Sequence, residues 1–294
     1  MNKILVLGGT GMLGAPVARR LRADGFEVRL LARDPEQARA MFADSYEVVA
    51  GDVTDLGRLE EALEGCQGVH ISVGGPVDQL SAENVVALAP RLGLERVTYN
   101  SGSTAFEQNR WFPVTEQKLN AEMAIRKSGL PFTFFCPTWP MEQLPRLAMG
   151  GKPLIIGDRP VTFHWFAADD LARMVSNAYQ RQEAMNQRLV IHGPQAMSMV
   201  EAMERYCQAF HPDVESISMM PIDAARSMAA STGNDMLMFF VDLMAYFDKV
   251  GEMGDPTEAN QLLGAPTTTL DEWIGKRKAQ MGDTQTGATQ DVLT

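Results

Sequence analysis

The sequence predicts an α/β fold: a doubly wound parallel sheet joined to a smaller, mostly helical C-terminal substrate lobe. Three observations carry this. Over residues 1–135, short apolar and β-branched runs alternate with helix-period segments. A glycine-rich turn lies between the first strand and the first helix. Beyond about residue 140 the alternation stops, Pro and Gly become frequent, and helix patterns dominate. Strands alternating with helices pair in parallel, and right-handed crossovers cover both faces of the sheet. Ligands of such sheets lie at the carboxyl ends of the strands, so the residues just after each strand are the candidates for chemistry.

Taken in order, Lys3–Leu7 is an apolar strand that ends in glycine, and Ala15–Ala23 a helix that closes at Gly25. Glu27–Ala32 is the second strand. Asp34 then caps a helix with Pro35 in its first turn and Gln37 as a capping-box partner. Glu47–Ala50 is the third strand, Leu56–Leu63 a helix and Val69–Val73 the fourth strand. Ser81–Leu92 reads as a helix that Pro90 ends early or kinks. Arg96–Asn100 is the fifth strand, Thr115–Lys127 a helix and Phe132–Cys136 the sixth strand. Helix patterns follow at Asp170–Tyr179, Met199–Phe210, Asp223–Ala230 and Asp235–Val250. The expected organisation is a nucleotide-binding core over 1–140, a lobe over 141–282 whose chain returns to the core near 160–180, and an irregular polar tail over 283–294.

Composition narrows the function. With 294 residues and 45% hydrophobic content the chain can bury a sizeable core. Its net charge is −11 and no basic patch stands out, which argues against nucleic acid. No apolar run is long enough to span a bilayer, and the N-terminus starts a strand with no charged leader. Three cysteines, Cys66, Cys136 and Cys207, form no C-x-x-C pair; their odd number fits reduced thiols in the cytoplasm. The four histidines share no metal-ligand spacing, so no metal site is expected. The oligomeric state is left open.

The turn Gly8-Gly9-Thr10-Gly11-Met12-Leu13-Gly14 carries the chemistry. Glycines spaced by three, after a strand and before a helix, form the Rossmann dinucleotide fingerprint. Gly8 makes the tight turn, Gly11 admits the pyrophosphate to the backbone, and Gly14 lets the helix pack close to the strand. The helix N-terminus directs amides and a positive dipole end at the phosphates. At the end of the second strand an NAD site usually carries an acid for the ribose hydroxyl. Here stand Ala32 and Arg33, and an Arg can pair with a 2′-phosphate, so NADP is favoured with NAD as the alternative. Asp52 and Val53 suit the adenine edge and ring, although Asp52 serves equally well as a cap for the helix that follows. Val73, Gly74 and Gly75 are small enough for ribose and nicotinamide to lie against the backbone.

These segments together resemble the atypical, NmrA-like NAD(P)-binding branch of the short-chain dehydrogenase/reductase superfamily. The resemblance rests on Leu7 to Gly14, Leu31 to Pro35, Gly51-Asp52-Val53, Arg96 to Ser101, Lys118 with Glu122, and Ser128 to Thr133. It continues more loosely through Phe166 to Ala172, Gly193-Pro194 with Ser198 to Glu201, and Thr267 to Trp273. Members usually donate a proton from the Tyr of Y-x-x-x-K. Lys118 matches the Lys, but Val114 stands where the Tyr would be and has no proton to give. The resemblance therefore implies Lys118 as ribose contact and as acid or base, directly or through water; the bland alternative is a surface ion pair with Glu122. It implies Ser101 as the substrate-orienting hydroxyl, with Ser103 and Thr104 beside it. Pro137, Thr138 and Trp139 fall where the family lines the nicotinamide, with Cys136 replacing the usual Arg and core packing an equal alternative for Trp139. His164 reads as a structural histidine and the ten methionines from Met197 to Met253 as core. The expected activity is NAD(P)H-dependent reduction of a small apolar carbonyl, quinone or enone. The alternative is an NADP(H)-binding redox sensor or assembly protein without turnover.

Overall fold

A computed structural model describes residues 2–42, 45–148 and 153–290, with side chains to 281. Along the chain run β1 (Lys3–Leu7), α1 (Gly14–Ala23), β2 (Glu27–Ala32), α2 (Pro35–Phe42), β3 (Glu47–Ala50), α3 (Leu56–Leu63), β4 (Gly68–Ile71), α4 (Asp78–Leu92), β5 (Arg96–Asn100), α5 (Pro113–Lys127) and β6 (Phe132–Pro137). Then come α6 (Leu144–Leu147), β7 (Leu154–Ile156), β8 (Thr162–Trp165), α7 (Ala168–Tyr179), β9 (Gln187–Ile191), β10 (Gln195–Ser198), α8 (Met199–Phe210), β11 (Ser218–Met220), α9 (Ile222–Thr232), α10 (Asp235–Val250), α11 (Thr257–Leu263) and α12 (Leu270–Gln290). They divide into two compact units, one of residues 1–138, 168–192 and 253–266, the other of 139–167, 193–252 and 267–294.

The first unit holds a seven-stranded parallel sheet in the order β3-β2-β1-β4-β5-β6-β9. β1 is an interior strand: Leu7 is in register with Leu31 on one side and Ile71 on the other. From β1 the chain winds outward to β2 and β3, then returns to lay β4 on the opposite side. That reversal opens a crevice at the carboxyl ends of β1 and β4. Every residue of β4 and β5 is buried, as a strand covered on both faces requires. α1 packs against α7, and α4 against α5. Leu5, Leu7, Leu59, Val69, Ile71, Val85 and Phe134 lie in the main core.

Several boundaries differ from the sequence expectation. β4 ends at Ile71 rather than Val73, which releases Ser72, Val73, Gly74, Pro76 and Val77 to line the crevice. α4 starts at Asp78 and runs past Pro90, because that proline removes a donor only in the last turn before the left-handed Gly93. β9 was not anticipated: only Leu189, Val190 and Ile191 of it are apolar and buried, too short a run to stand out. In α2, Asp34 accepts from the Gln37 amide at 2.9 Å, the expected cap.

The second unit contains two small ribbons as well as helices: β8 pairs antiparallel with β10, and β7 parallel with β11. Trp139, Phe163, Trp165, Met203, Tyr206 and Met244 pack in its core. The methionines divide: Met197, Met199 and Met203 are buried, whereas Met236 on α10 is 76% exposed. His164 is held by Glu252, whose carboxylate takes both its amide (2.7 Å) and its Nδ1 (2.5 Å). Of the residues expected as an irregular tail, 283–290 fall in the last turns of α12 and 291–294 lie outside the described residues.

Candidate functional site

The site begins where β1 ends. Gly8 has φ +76°, and a Cβ there would lie 2.3 Å from the Ser72 carbonyl oxygen. A Cβ on Gly14 would lie 2.1 Å from the Gly8 carbonyl oxygen, which itself accepts from the Gly11 amide at 2.9 Å. Both positions therefore exclude side chains for backbone reasons, and Gly14 presses on the turn itself. α1 has no side-chain cap and no acid in its first turn. Its N-terminal amides are a ready anion site. Met12 and Leu13, both part-buried, carry the chain from the turn into this helix.

A cleft of about 400 Å³ opens over the turn. Gly8, Thr10, Gly11, Arg33, Asp52, Val53, Val73 and Gly74 line it, together with Leu31, Ala32, Gly51, Ser72, Pro76 and Val77. The structure thus gathers the residues that follow β1, β2, β3 and β4 around one volume. Arg33 is 85% exposed, its Nε 3.9 Å from Asp52 Oδ2. Asp52 Oδ1 accepts from the amide (2.9 Å) and hydroxyl (2.7 Å) of Thr54. These bonds hold its carboxyl below the usual carboxylate range. Asp52 is not the helix cap; Asp55 is, accepting from the Gly57 and Arg58 amides. Gly75, at φ +75°, opens the short turn leading into α4 and does not line the cleft.

Beside the cleft lies a buried polar cluster. Lys118 Nζ donates to the Asn100 carbonyl at 2.7 Å and is 2.6 Å from Asp78 Oδ2. The Tyr99 hydroxyl donates to Asp78 Oδ1 at 3.0 Å, and the Tyr99 ring centroid is 4.9 Å from Nζ. Burial, with the Asp78 carboxylate next to it, pushes the Tyr99 phenol well above its ordinary pKa. Asn100 Nδ2 donates to Ser72 Oγ at 2.9 Å, so this cluster is bonded to the cleft wall. The alternative pairing of Lys118 with Glu122 does not form. Glu122, 1% exposed, instead accepts from Ser101 Oγ (2.5 Å), Arg126 (3.0 Å) and Arg188 (3.2 Å). The donor of Ser101 is thereby directed inward. Cys136 is buried, and its thiol is pushed up to about 12 by desolvation.

Three other expected residues lie apart from the cleft lining. The Pro137 carbonyl accepts from the Ser103 amide at 3.1 Å, and the Thr138 amide donates to Ile191 at 3.1 Å. Trp139 belongs to the core of the second unit, with ring centroids 5.1 Å from Phe247 and 5.7 Å from Phe163, the packing alternative for this residue. Val114 is in the first turn of α5, one turn before Lys118. Sequence reasoning missed Asp78, Asn100 and Arg188. Asp78 was legible only as an acid near a helix start, and nothing local marks it as the partner of a lysine 40 residues on.

A dinucleotide suits this arrangement. The turn has room for backbone approach and none for side chains, and the uncapped helix end offers donors. Asn100 Oδ1 is a buried acceptor without a partner among the described residues, as a site awaiting a hydroxyl or amide requires.

Comparison with known proteins agrees. Residues 8–182 match the model of an NAD(P)H-binding family. An NAD(P)H azoreductase of Xenophilus azovorans is 27% identical over 252 residues, spanning 82% of this chain and 84% of that protein. A photosystem II assembly factor of Trieres chinensis is 21% identical over 232 residues, spanning 74% and 72%. Among solved structures, the NADPH-dependent quinone oxidoreductase of Escherichia coli complexed with NADPH superposes with a TM-score of 0.76 at 20% identity, covering 93% of this chain and 99% of that one.

Proposed function

The chain belongs to the NAD(P)H-binding family, and on that premise we propose that it is an NADPH-dependent oxidoreductase for a small, largely apolar carbonyl, quinone, enone or azo compound. The observation that carries this reading is a cleft with Arg33 at one edge that is bonded, through Ser72 and Asn100, to the Lys118 ammonium. When bound, the nicotinamide supplies a hydride. The glycine turn and the α1 amides hold the pyrophosphate. Arg33 pairs with the 2′-phosphate, and Val53 packs on the adenine. Val73 and Gly74 leave space along β4 for the ribose, whose hydroxyl Lys118 holds. With Val114 lacking a phenol, Lys118 also delivers the proton to the reduced acceptor, directly or through water. Ser101 supports the site by bonding Glu122 rather than by touching substrate. Three buried, unpaired cysteines suit the reducing cytoplasm. Among the described residues no helix is long and apolar enough to cross a membrane.

The test is NADPH oxidation against a panel of quinones, carbonyls, enones and azo dyes, with Lys118→Ala in parallel. Turnover that falls at least about 100-fold in the variant supports the enzyme, since general acid–base catalysis contributes on that order. For cofactor choice, wild type should prefer NADPH over NADH, and Arg33→Ala should lower that preference about tenfold, as loss of a charge-assisted contact predicts. Equal wild-type affinities would refute the assignment of Arg33.

Val114, together with the similarity to an assembly factor, favours a second reading: an NADP(H)-binding protein that senses redox state or supports assembly. Tight NADPH binding with no turnover on any acceptor would select it.

A further inference from the structure

Lys118 reaches away from its own helix. Its i+4 neighbour Glu122 is engaged by Ser101, Arg126 and Arg188. The ammonium instead meets Asp78, the first residue of α4, whose side chain is 3% exposed. Asp78 follows Pro76 and Val77, which line the cleft. Its Oδ1 accepts from Tyr99, and its backbone carbonyl accepts from Ser81 Oγ at 2.7 Å, so both the carboxylate and its turn are held. An ammonium has three N–H donors, which rotate together about the Cε–Nζ bond until partners hold them. Asp78 and the Asn100 carbonyl take two of them, and the Tyr99 ring lies against the same group.

We propose that Asp78 is the positioning residue of Lys118: with Tyr99 and the Asn100 carbonyl it fixes the ammonium so that its third N–H is presented to a ribose hydroxyl of the nicotinamide nucleotide. This rests on the reading of Lys118 as a cofactor-facing cation. A buried ion pair is poor evidence of stabilisation, because apolar residues of similar volume serve as well or better. What the pair supplies is direction. A lysine has four rotatable side-chain bonds, and without the carboxylate its ammonium is spread over many rotamers.

The experiment measures NADPH affinity by fluorescence titration on a double-mutant cycle of Asp78→Asn and Lys118→Met, with circular dichroism to confirm folding. Asp78→Asn keeps shape and removes charge. It should weaken NADPH binding about tenfold, the scale of a hydrogen bond to a charged group. Lys118→Met should do the same, and the double variant should bind no more weakly than Lys118→Met alone. Additive losses would mean that Asp78 acts independently of Lys118, and wild-type affinity in Asp78→Asn would mean that it does not act; either overturns the proposal while leaving Lys118 in place. Wild-type affinity in Lys118→Met overturns the underlying reading of Lys118 as well. Should Asp78→Asn fail to fold, Tyr99→Phe takes its place in the cycle. It removes only the hydrogen bond to Oδ1, and its smaller loss should vanish in the Lys118→Met background; persistence there counts against the proposal.

Discussion

At Gly14 an added methyl would lie 2.1 Å from a backbone oxygen that cannot retreat without unmaking the turn. Gly14→Ala should therefore weaken NADPH binding more than tenfold and lower the melting temperature, by a cost of roughly 1–3 kcal/mol typical of overpacking. Unchanged binding in the folded variant would show that the turn relaxes. Lys118 illustrates a different limit. Local spacing offered Glu122 as its partner, and the fold supplied Asp78 instead, because Glu122 faces Ser101 and Arg188 across the β5–β9 end of the sheet. Sequence periodicity places a residue on a helix face, but long-range charges choose among the partners that face meets.

At the scale of elements, the start of α2 shows what the acid after β2 does. Asp34 follows Arg33 and could have served the ribose, but its carboxylate accepts from the Gln37 amide. Asp34→Ala should destabilise the protein by about 1 kcal/mol, as loss of an N-cap does. It should leave NADPH affinity within about twofold, since no cofactor contact is lost. A large loss of affinity with unchanged stability would reverse the assignment. The strands β1, β2, β3 and β5 were legible to the residue, because each is a short run rich in apolar and β-branched residues bounded by turn or helix signals. β9 was not, since it opens on the polar Gln187 and Arg188 and lies beyond residue 140, where the strand–helix alternation breaks off. α4 shows that a proline is a stop signal only where the helix has further to run.

At the scale of the whole molecule, His70 couples folding to acidity. It is fully buried on β4, with Nδ1 2.8 Å from Thr98 Oγ1, and burial lowers its pKa from 6.5 to about 3. Below pH 6.5 the unfolded chain takes up a proton that the native chain refuses. Stability from this source is complete above that pH and declines as pH falls toward about 3, by roughly 1.4 kcal/mol per unit within the window. Urea unfolding of wild type and His70→Gln between pH 7 and 4 checks it. The variant should start less stable at pH 7 and lose less on acidification. Parallel pH dependences would exclude His70 as the titrating group.

What the sequence determined by itself was whatever depends on neighbours along the chain: the alternation that builds the sheet, the glycine turn, the Asp34 cap and the placing of Arg33 after β2. Backbone conformation and local periodicity are short-range properties, and the motif that binds phosphate is made of backbone. What only the tertiary structure decided was which side chains meet. Asp78 with Lys118, Asn100 with Ser72 and Glu122 with Arg188 join residues far apart in sequence. Such pairs arise when the sheet brings β4, β5 and β9 to one edge of the site, and no spacing along the chain encodes them.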